Sequence, residues 1–522
     1  MEVLRQWHQG VVYPHWAASA NYGAGEPRFV FYPPLSWILG ALLGAAMPWD
    51  WAPLAFTLLA LIAMGASCFR MAREWMPEDN AALAACLYVL NPYMLFVAYE
   101  RTAYGELLAA VWLPLVFLYG LRREPAMPQL ALVIAALWLT NAPGAVMGCY
   151  ALACLVLWTA IAQRRWRLLG RAAAGTALGL GLAGFYLVPA ICEQRWVEIT
   201  RAIGNGMRVE DSFLFGHTGE AFHDQVLRTA SWIAVGLLVF TLAGAVASRR
   251  NRQAGPQRGA PGEALIALAV VIAVLLLPFS NPLWHALPQL RFLQFPWRWL
   301  LVLGLIAATL ASLCLRGEAT TRRAVFLRAG TILLIACALS GLAWNLYWQP
   351  CDEEDNIRAQ WATFHAGGFA GTDEYTASPS DNGDIQQRLP AIRVLPGFDT
   401  DEADSSVAEN PEWKAPLDIL PSQVRISRWD VEHMTAAIDS PTSGFAVLRL
   451  MDYPAWQVRL NGQFVTNRPH RDDGLMTIPI ANGRSQIDVQ YLATKDVWAG
   501  RTLFFASIML LLALTRSQRH RL

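Results

Sequence analysis

Residues 287–304, LPQLRFLQFPWRWLLVLG, set Arg291, Gln294 and Arg298 at the head of an apolar run. A guanidinium at a membrane edge needs water or a partner. Planar guanidiniums grip phosphate oxygens through paired N–H donors. Pro296 suits the first turn of a helix, and the unpaired amides of that turn also attract an anion. The stretch could therefore hold a lipid phosphate, with Trp297 and Trp299 anchoring it at headgroup depth. The plainer alternative is that the arginines reach to ordinary phospholipid or pair with a loop acid. A second group, Glu100, Arg101 and Glu106, lies within YERTAYGE. Either carboxylate could line a site as an acid or base, paired with Arg101. Glu106 could equally be a helix cap favoured by the dipole.

The rest of the chain must place these residues. It has 522 residues, 55% hydrophobic and only 16% charged, with 22 Trp. Apolar runs of spanning length recur, so the chain reads as a polytopic α-helical membrane protein. A net charge of +1 gives no case for nucleic acid. Among 41 basic residues only Lys414 and Lys495 are lysine, a bias that points to a GC-rich bacterial genome. The eight cysteines lack metal-ligand spacing. Six fall in or beside apolar runs, where Cys behaves as a small hydrophobe. Cys192 and Cys351 fall outside them, and a disulfide between the two stays open. His217 and His223 in FGHTGEAFHD have no third convergent His, so no metal site is expected.

About eleven transmembrane helices are expected, near 51–70, 78–98, 105–121, 126–140, 143–161, 168–190, 229–248, 263–279, 297–315, 327–347 and 498–515. Every odd-numbered span ends at an arginine-bearing loop, for example Arg70 and Arg73, Arg122 and Arg123, or Arg249 and Arg250. The positive-inside rule puts those loops in the cytoplasm. Residues 1–50 then form a first extracytoplasmic loop, with 33–47 a shallow amphipathic helix. Residues 51–347 form the transmembrane domain, and 498–522 a last helix with a cytoplasmic tail. The segment 348–497 forms an extracytoplasmic domain before that last helix. From about 422 it alternates apolar and polar residues, and Asn461-Gly462 and Asn482-Gly483 mark hairpin turns. That part is expected to be a small antiparallel β-sandwich.

Several stretches resemble bacterial membrane proteins of the 6-pyruvoyl-tetrahydropterin synthase-related family, which in turn resemble GT-C polyprenyl-phosphate-sugar glycosyltransferases. They are GVVYPHWAASANYGAGEPRFVFYPPL, ERTAYGELLAAVWLPL, PLWHALPQLRFLQFPWRWL, GTDEYTASPS and DYPAWQVRLNGQ. Thr376 and Ala377 replace an expected Leu-Pro, and Ala455 replaces a Gly. The resemblance implies a bacterial inner-membrane protein with a GT-C-like fold. It would move a sugar from a polyprenyl-phosphate donor to a glycan or other envelope acceptor on the extracytoplasmic face. Its partners would be membrane lipid, that donor and that acceptor, with no cofactor. Glu100 and Glu106 would then be the catalytic acids, and Arg298, Arg291, Arg101 and Gln294 would hold the donor phosphate. Trp16, Tyr22 and Tyr32 could stack on sugar rings, or serve as packing and belt residues. Glu26, Glu193 and Glu374 are weaker acidic candidates. GT-C enzymes carry an acid early in the first outer loop, and the matching Asp is absent from this sequence; a helix preceding residue 1 is expected to be missing. The enzyme reading therefore stays open against a non-catalytic envelope-binding accessory protein and a transporter.

Overall fold

The computed structural model describes residues 1–122, 126–204, 206–252, 261–314, 341, 344, 353–385, 389–396 and 422–519. The chain divides into two compact units. A helical unit takes Pro33–Gly184, Ile203–Pro350 and Leu503–Leu522. A sheet-containing unit takes Met1–Tyr32, Phe185–Ala202 and Cys351–Thr502.

Six helices are long and apolar enough to cross a membrane: Trp49–Arg73, Tyr104–Leu121, Ala142–Gln163, Ala221–Arg249, Pro296–Leu313 and Lys495–Arg516. Three further apolar helix pairs are bent, each a broken span or a re-entrant loop, so the described residues hold six such helices, or up to nine spans if every pair crosses. Glu78–Val89 bends by 41° into Pro92–Glu100, Arg167–Leu182 by 77° into Gly184–Trp196, and Gly262–Leu275 by 95° into Pro278–Ala286. Proline explains two of the breaks locally. Pro92 and Pro278 supply no amide to the preceding turn, so each opens a new helix. Met127–Thr140 has 14 residues and Pro34–Ala46 has 13. At about 1.5 Å per residue both fall well short of a hydrocarbon core roughly 30 Å thick. The span expected at 327–347 lies outside the described residues, as do Cys351 and the acidic run near 400–406.

The helix that begins at Pro296 is the most enclosed of the six. The Pro296–Leu313 window is 94% buried, against 17–61% for the other five long helices. Its residues Leu300 to Ala308 are apolar on every side, which is how a helix reads when protein surrounds it. Neighbours are pinned to it by polar contacts. Asn80 Nδ2 donates to the Ser312 carbonyl at 2.7 Å. A Cβ added at Gly304 would come within 2.6 Å of Asn91 Nδ2. Glycine there lets the break before Pro92 sit against the central helix.

The sheet-containing unit has eight strands: β1 (Ile392–Pro396), β2 (Gln423–Trp429), β3 (His433–Ser440), β4 (Gly444–Met451), β5 (Trp456–Leu460), β6 (Gln463–Phe464), β7 (Leu475–Ile480) and β8 (Gly483–Tyr491). They form two antiparallel sheets, ordered β1-β4-β7 and β2-β3-β8-β5-β6. Burial alternates along β3, as a sheet with one covered face requires. Asn461 and Gly462 both have positive φ, 50° and 82°, and turn β5 into β6; two such residues suit a tight hairpin. β1 was not expected. It is five residues long and, among the described residues, pairs with β4 alone, so its sequence carries little alternation to read.

Of the two roles open to Trp16, the structure fits packing. Trp16 is 1% exposed and packs edge-on against Trp456, with ring centroids 5.3 Å apart. Gly25, at φ +77°, approaches so closely that a Cβ would lie 2.0 Å from Trp16 Nε1. With both surroundings filled, Trp16 is a core residue and has no face open to a sugar.

Candidate functional site

Three charged side chains meet inside the helical unit. Glu106 sits in the first turn of Tyr104–Ala109 and is buried. Arg101 Nη1 donates to its Oε2 at 2.7 Å. Arg298 Nε lies 3.7 Å from the same oxygen. The other oxygen, Oε1, accepts a bond from the Tyr93 hydroxyl at 2.5 Å. Two guanidiniums therefore converge on one carboxylate, and the three side chains sum to one positive charge.

Each member is set by local structure. Asn91 caps the turn Pro92–Leu95, accepting from the amides of Tyr93 and Met94, and its Nδ2 donates to the Tyr88 carbonyl. That fixes Tyr93 at the break. The Tyr88 hydroxyl donates to the Ala110 carbonyl at 2.9 Å, tying this helix to the one that carries Glu106. Gln289 and Gln294 take positive φ, 63° and 62°, on either side of the short turn Leu290–Leu293. The turn brings the Leu293 carbonyl to Arg298, whose Nη1 donates to it at 2.9 Å. Phe295 stacks on Trp297 with centroids 4.9 Å apart. The Arg101 guanidinium lies over the Trp297 ring at 4.6 Å and that of Arg298 over Phe295 at 4.9 Å. Both cations are thus held on aromatic faces, an arrangement worth more once water is excluded.

The 6-pyruvoyl-tetrahydropterin synthase related domain, a membrane protein family, matches residues 29–345, which include every member of this cluster. The chain belongs to that family. Crystal structures of ArnT from Cupriavidus metallidurans, bound to undecaprenyl phosphate and in the apo state, are similar at 13% and 15% identity. Each alignment covers 60% of this chain, with 72% and 71% of the ArnT chains and TM-scores of 0.27. No curated protein matches the chain.

Within this family member the candidates divide. Glu106, Arg101 and Arg298 come together. Glu100 ends the turn Phe96–Glu100 and does not join them; its Oε2 is buried with no hydrogen-bond partner among the described residues. Arg291 is exposed and lies over its neighbour Phe292 at 4.9 Å. It is not among the described partners of Glu106. Gln294 contributes the positive-φ turn between Arg291 and Arg298. Tyr93 is a member that the sequence did not single out. The one available signal was the Asn91-Pro92 pair, a cap followed by a helix start.

The remaining candidates belong to the sheet-containing unit. Tyr22 has a left-handed backbone, φ 52°, and Tyr32 is exposed. Glu26 is fully buried and accepts from the Thr372 amide at 2.8 Å and from Arg28 Nε at 2.5 Å. Burial pushes its carboxyl up, against the pull of Arg28. Burial also raises the Glu374 carboxyl. Glu193 accepts from the Tyr453 hydroxyl at 2.5 Å and from Thr494 Oγ1 at 3.1 Å. In the helical unit, His217 pairs with Asp224, and His223 Nε2 lies 3.2 Å from the Asp211 carbonyl oxygen.

Proposed function

We propose that this protein is a GT-C-like membrane glycosyltransferase acting on a polyprenyl-phosphate-linked sugar. In this reading it sits in the bacterial inner membrane, and transfer to a glycan or envelope acceptor occurs on the extracytoplasmic face. The sheet-containing unit lies on that same face, with its two sheets stacked as a β-sandwich. The convergence of Arg101 and Arg298 on Glu106 carries the proposal. A phosphate leaving group needs cations fixed before the reaction, and a buried carboxylate between two guanidiniums fixes them.

The same geometry supports different roles for the two acids. A general base must take up a proton. Glu106 would have to do so while two guanidiniums and a phenol hold it as carboxylate, so it orients the cations instead. Glu100, with a buried oxygen that no described group satisfies, is the acid placed to orient or deprotonate an acceptor hydroxyl. Arg291 and Gln294 act at the rim of the donor site.

The sequestration of Glu106 also favours a second reading, an envelope-binding accessory protein that holds the lipid phosphate without turnover. Purified protein in lipid nanodiscs with a radiolabelled undecaprenyl-phosphate sugar separates the two. Sugar release or transfer that Glu100→Gln abolishes supports the enzyme. Binding with no turnover supports the accessory role, and absence of binding removes both.

A further inference from the structure

The sheet-containing unit carries an open-mouthed cavity of about 260 Å³ that uses none of Glu106, Arg101 or Arg298. Stretches distant in sequence build it: 195–196, 377–380, 452–454 and 468–475. Backbone bonds lock them together. The Ser378 amide donates to the Trp196 carbonyl at 3.0 Å, Asp381 to Asp472 at 2.7 Å, and Asp452 to Gly474 at 2.8 Å. Gly474 has φ +73°, and a Cβ there would lie 2.8 Å from the Ser380 side chain. The wall closes only around a glycine, so the cavity is preformed.

Its polar lining is lopsided in charge. Arg195, Arg468, His470 and Arg471 line it against the carboxylate of Asp452, with Arg471 paired to Asp473 just behind the wall. The Arg195 side chain is exposed and extends over the Trp196 ring at 5.1 Å. Arg468 is fixed by Asp452, Nε donating at 3.1 and 3.0 Å and Nη2 at 2.7 Å, while Nη1 donates to the Val465 carbonyl at 3.3 Å. A guanidinium has five N–H groups, and among the described residues these bonds occupy three. Two donors of an immobilised cation face no described partner.

We propose that this cavity binds one anionic sugar residue, a hydroxylated ring bearing a carboxylate or a phosphate. Arg195 and Arg468 take the anion, because a planar fork matches either oxyanion. The Asp452 carboxylate repels a bare anion but accepts hydrogen bonds from hydroxyl groups, so the ligand must carry both. Trp196, Pro454 and Pro469 supply apolar surface for the ring's C–H faces. The volume falls just below the roughly 300–1,000 Å³ of sites for drug-sized ligands, which suits one ring and not a chain. This site goes beyond the donor reading and stands without it.

The test is ligand-observed saturation-transfer NMR on the full chain in detergent, with glucuronate, glucose 6-phosphate and glucose as separately observed probes and inorganic phosphate, which carries no observable protons, read by its competition against them. At least one of the two anionic sugars binds, about tenfold or more tighter than glucose and than phosphate. Which of the two it is identifies the charged group. Arg195→Gln, a change on an exposed side chain, weakens that binding about tenfold while Arg195→Lys retains part of it. Four results overturn the proposal: no binding by either anionic sugar, equal binding by glucose, equal binding by phosphate alone, or unchanged affinity in Arg195→Gln at an unchanged Tm.

Discussion

Glu106 and Arg298 belong to two different helices, yet the Glu106 Oε2 and Arg298 Nε atoms lie 3.7 Å apart at the start of the most enclosed helix in the helical unit. Arginines that merely reach for lipid headgroups sit on lipid-facing surfaces with their charge in the interface. Arg298 is instead half-buried beside a buried carboxylate and an aromatic ring. The geometry therefore favours the partnered reading of this arginine over the lipid-anchor reading.

Arg298→Lys keeps the charge and loses the planar fork. Donor affinity is expected to fall by about 1.5–3 kcal/mol, roughly 10- to 150-fold. Titration of wild type and variant with the same polyprenyl-phosphate sugar, at matched expression and Tm, measures it. Unchanged affinity would remove Arg298 from the site.

Glu106→Gln takes the shared carboxylate from two guanidiniums. Loss of one partner from a buried ion pair costs about 3–5 kcal/mol, so a large drop in Tm is expected. Glu106→Asp keeps the charge on a shorter arm and should recover part of the stability. If Glu106 is a positioning residue, donor affinity tracks that recovery across the three proteins. A variant that melts like wild type and binds donor equally well would show that the carboxylate organises neither cation.

His15 makes a pH-dependent contribution to the sheet-containing unit. It is buried, with Tyr13 and Tyr491 ring centroids at 5.1 and 6.0 Å. Burial, reinforced by repulsion from Arg501, pushes its imidazole down to about 4 from an ordinary value near 6.5. The folded state thus favours the neutral ring. Stability is full above about pH 6.5 and declines as pH falls toward 4, by about 3 kcal/mol from this group. His15→Phe should flatten the Tm profile between pH 7 and 4 relative to wild type. Equal slopes in both proteins would rule His15 out as the titrating group.

The arginine-bearing loops predict that the strands of the sheet-containing unit lie outside the cytoplasm. A reporter active only in the periplasm, inserted after Gln423, should give signal, and a cytoplasm-only reporter at the same position should not. The opposite pattern would invert the orientation and put the donor site on the wrong face for the proposed reaction.

Features that rest on neighbours in sequence were legible without coordinates. Long apolar runs gave the six full-length helices, because spanning length and apolarity are properties of a continuous segment. Period-two alternation and the Asn461-Gly462 turn gave most of the strands, since both signals are local. The breaks at Pro92 and Pro278 were present as residues, but their angles depend on what packs against the freed backbone. Pairings across the chain were not legible. Arg291 and Arg298 both read as cations at one helix head, with Arg298 favoured by its place after Pro296, and the turn at Gln294 and the position of Glu106 separate them in space. Trp16 offered an aromatic ring to any reading, and burial against Trp456 made it core. The cavity beside Arg468 had no local signature, and for Tyr93 the Asn91-Pro92 pair marked only a helix start, not a site. Their chemistry arises when segments distant in sequence are brought within hydrogen-bond reach, and packing alone decides that distance.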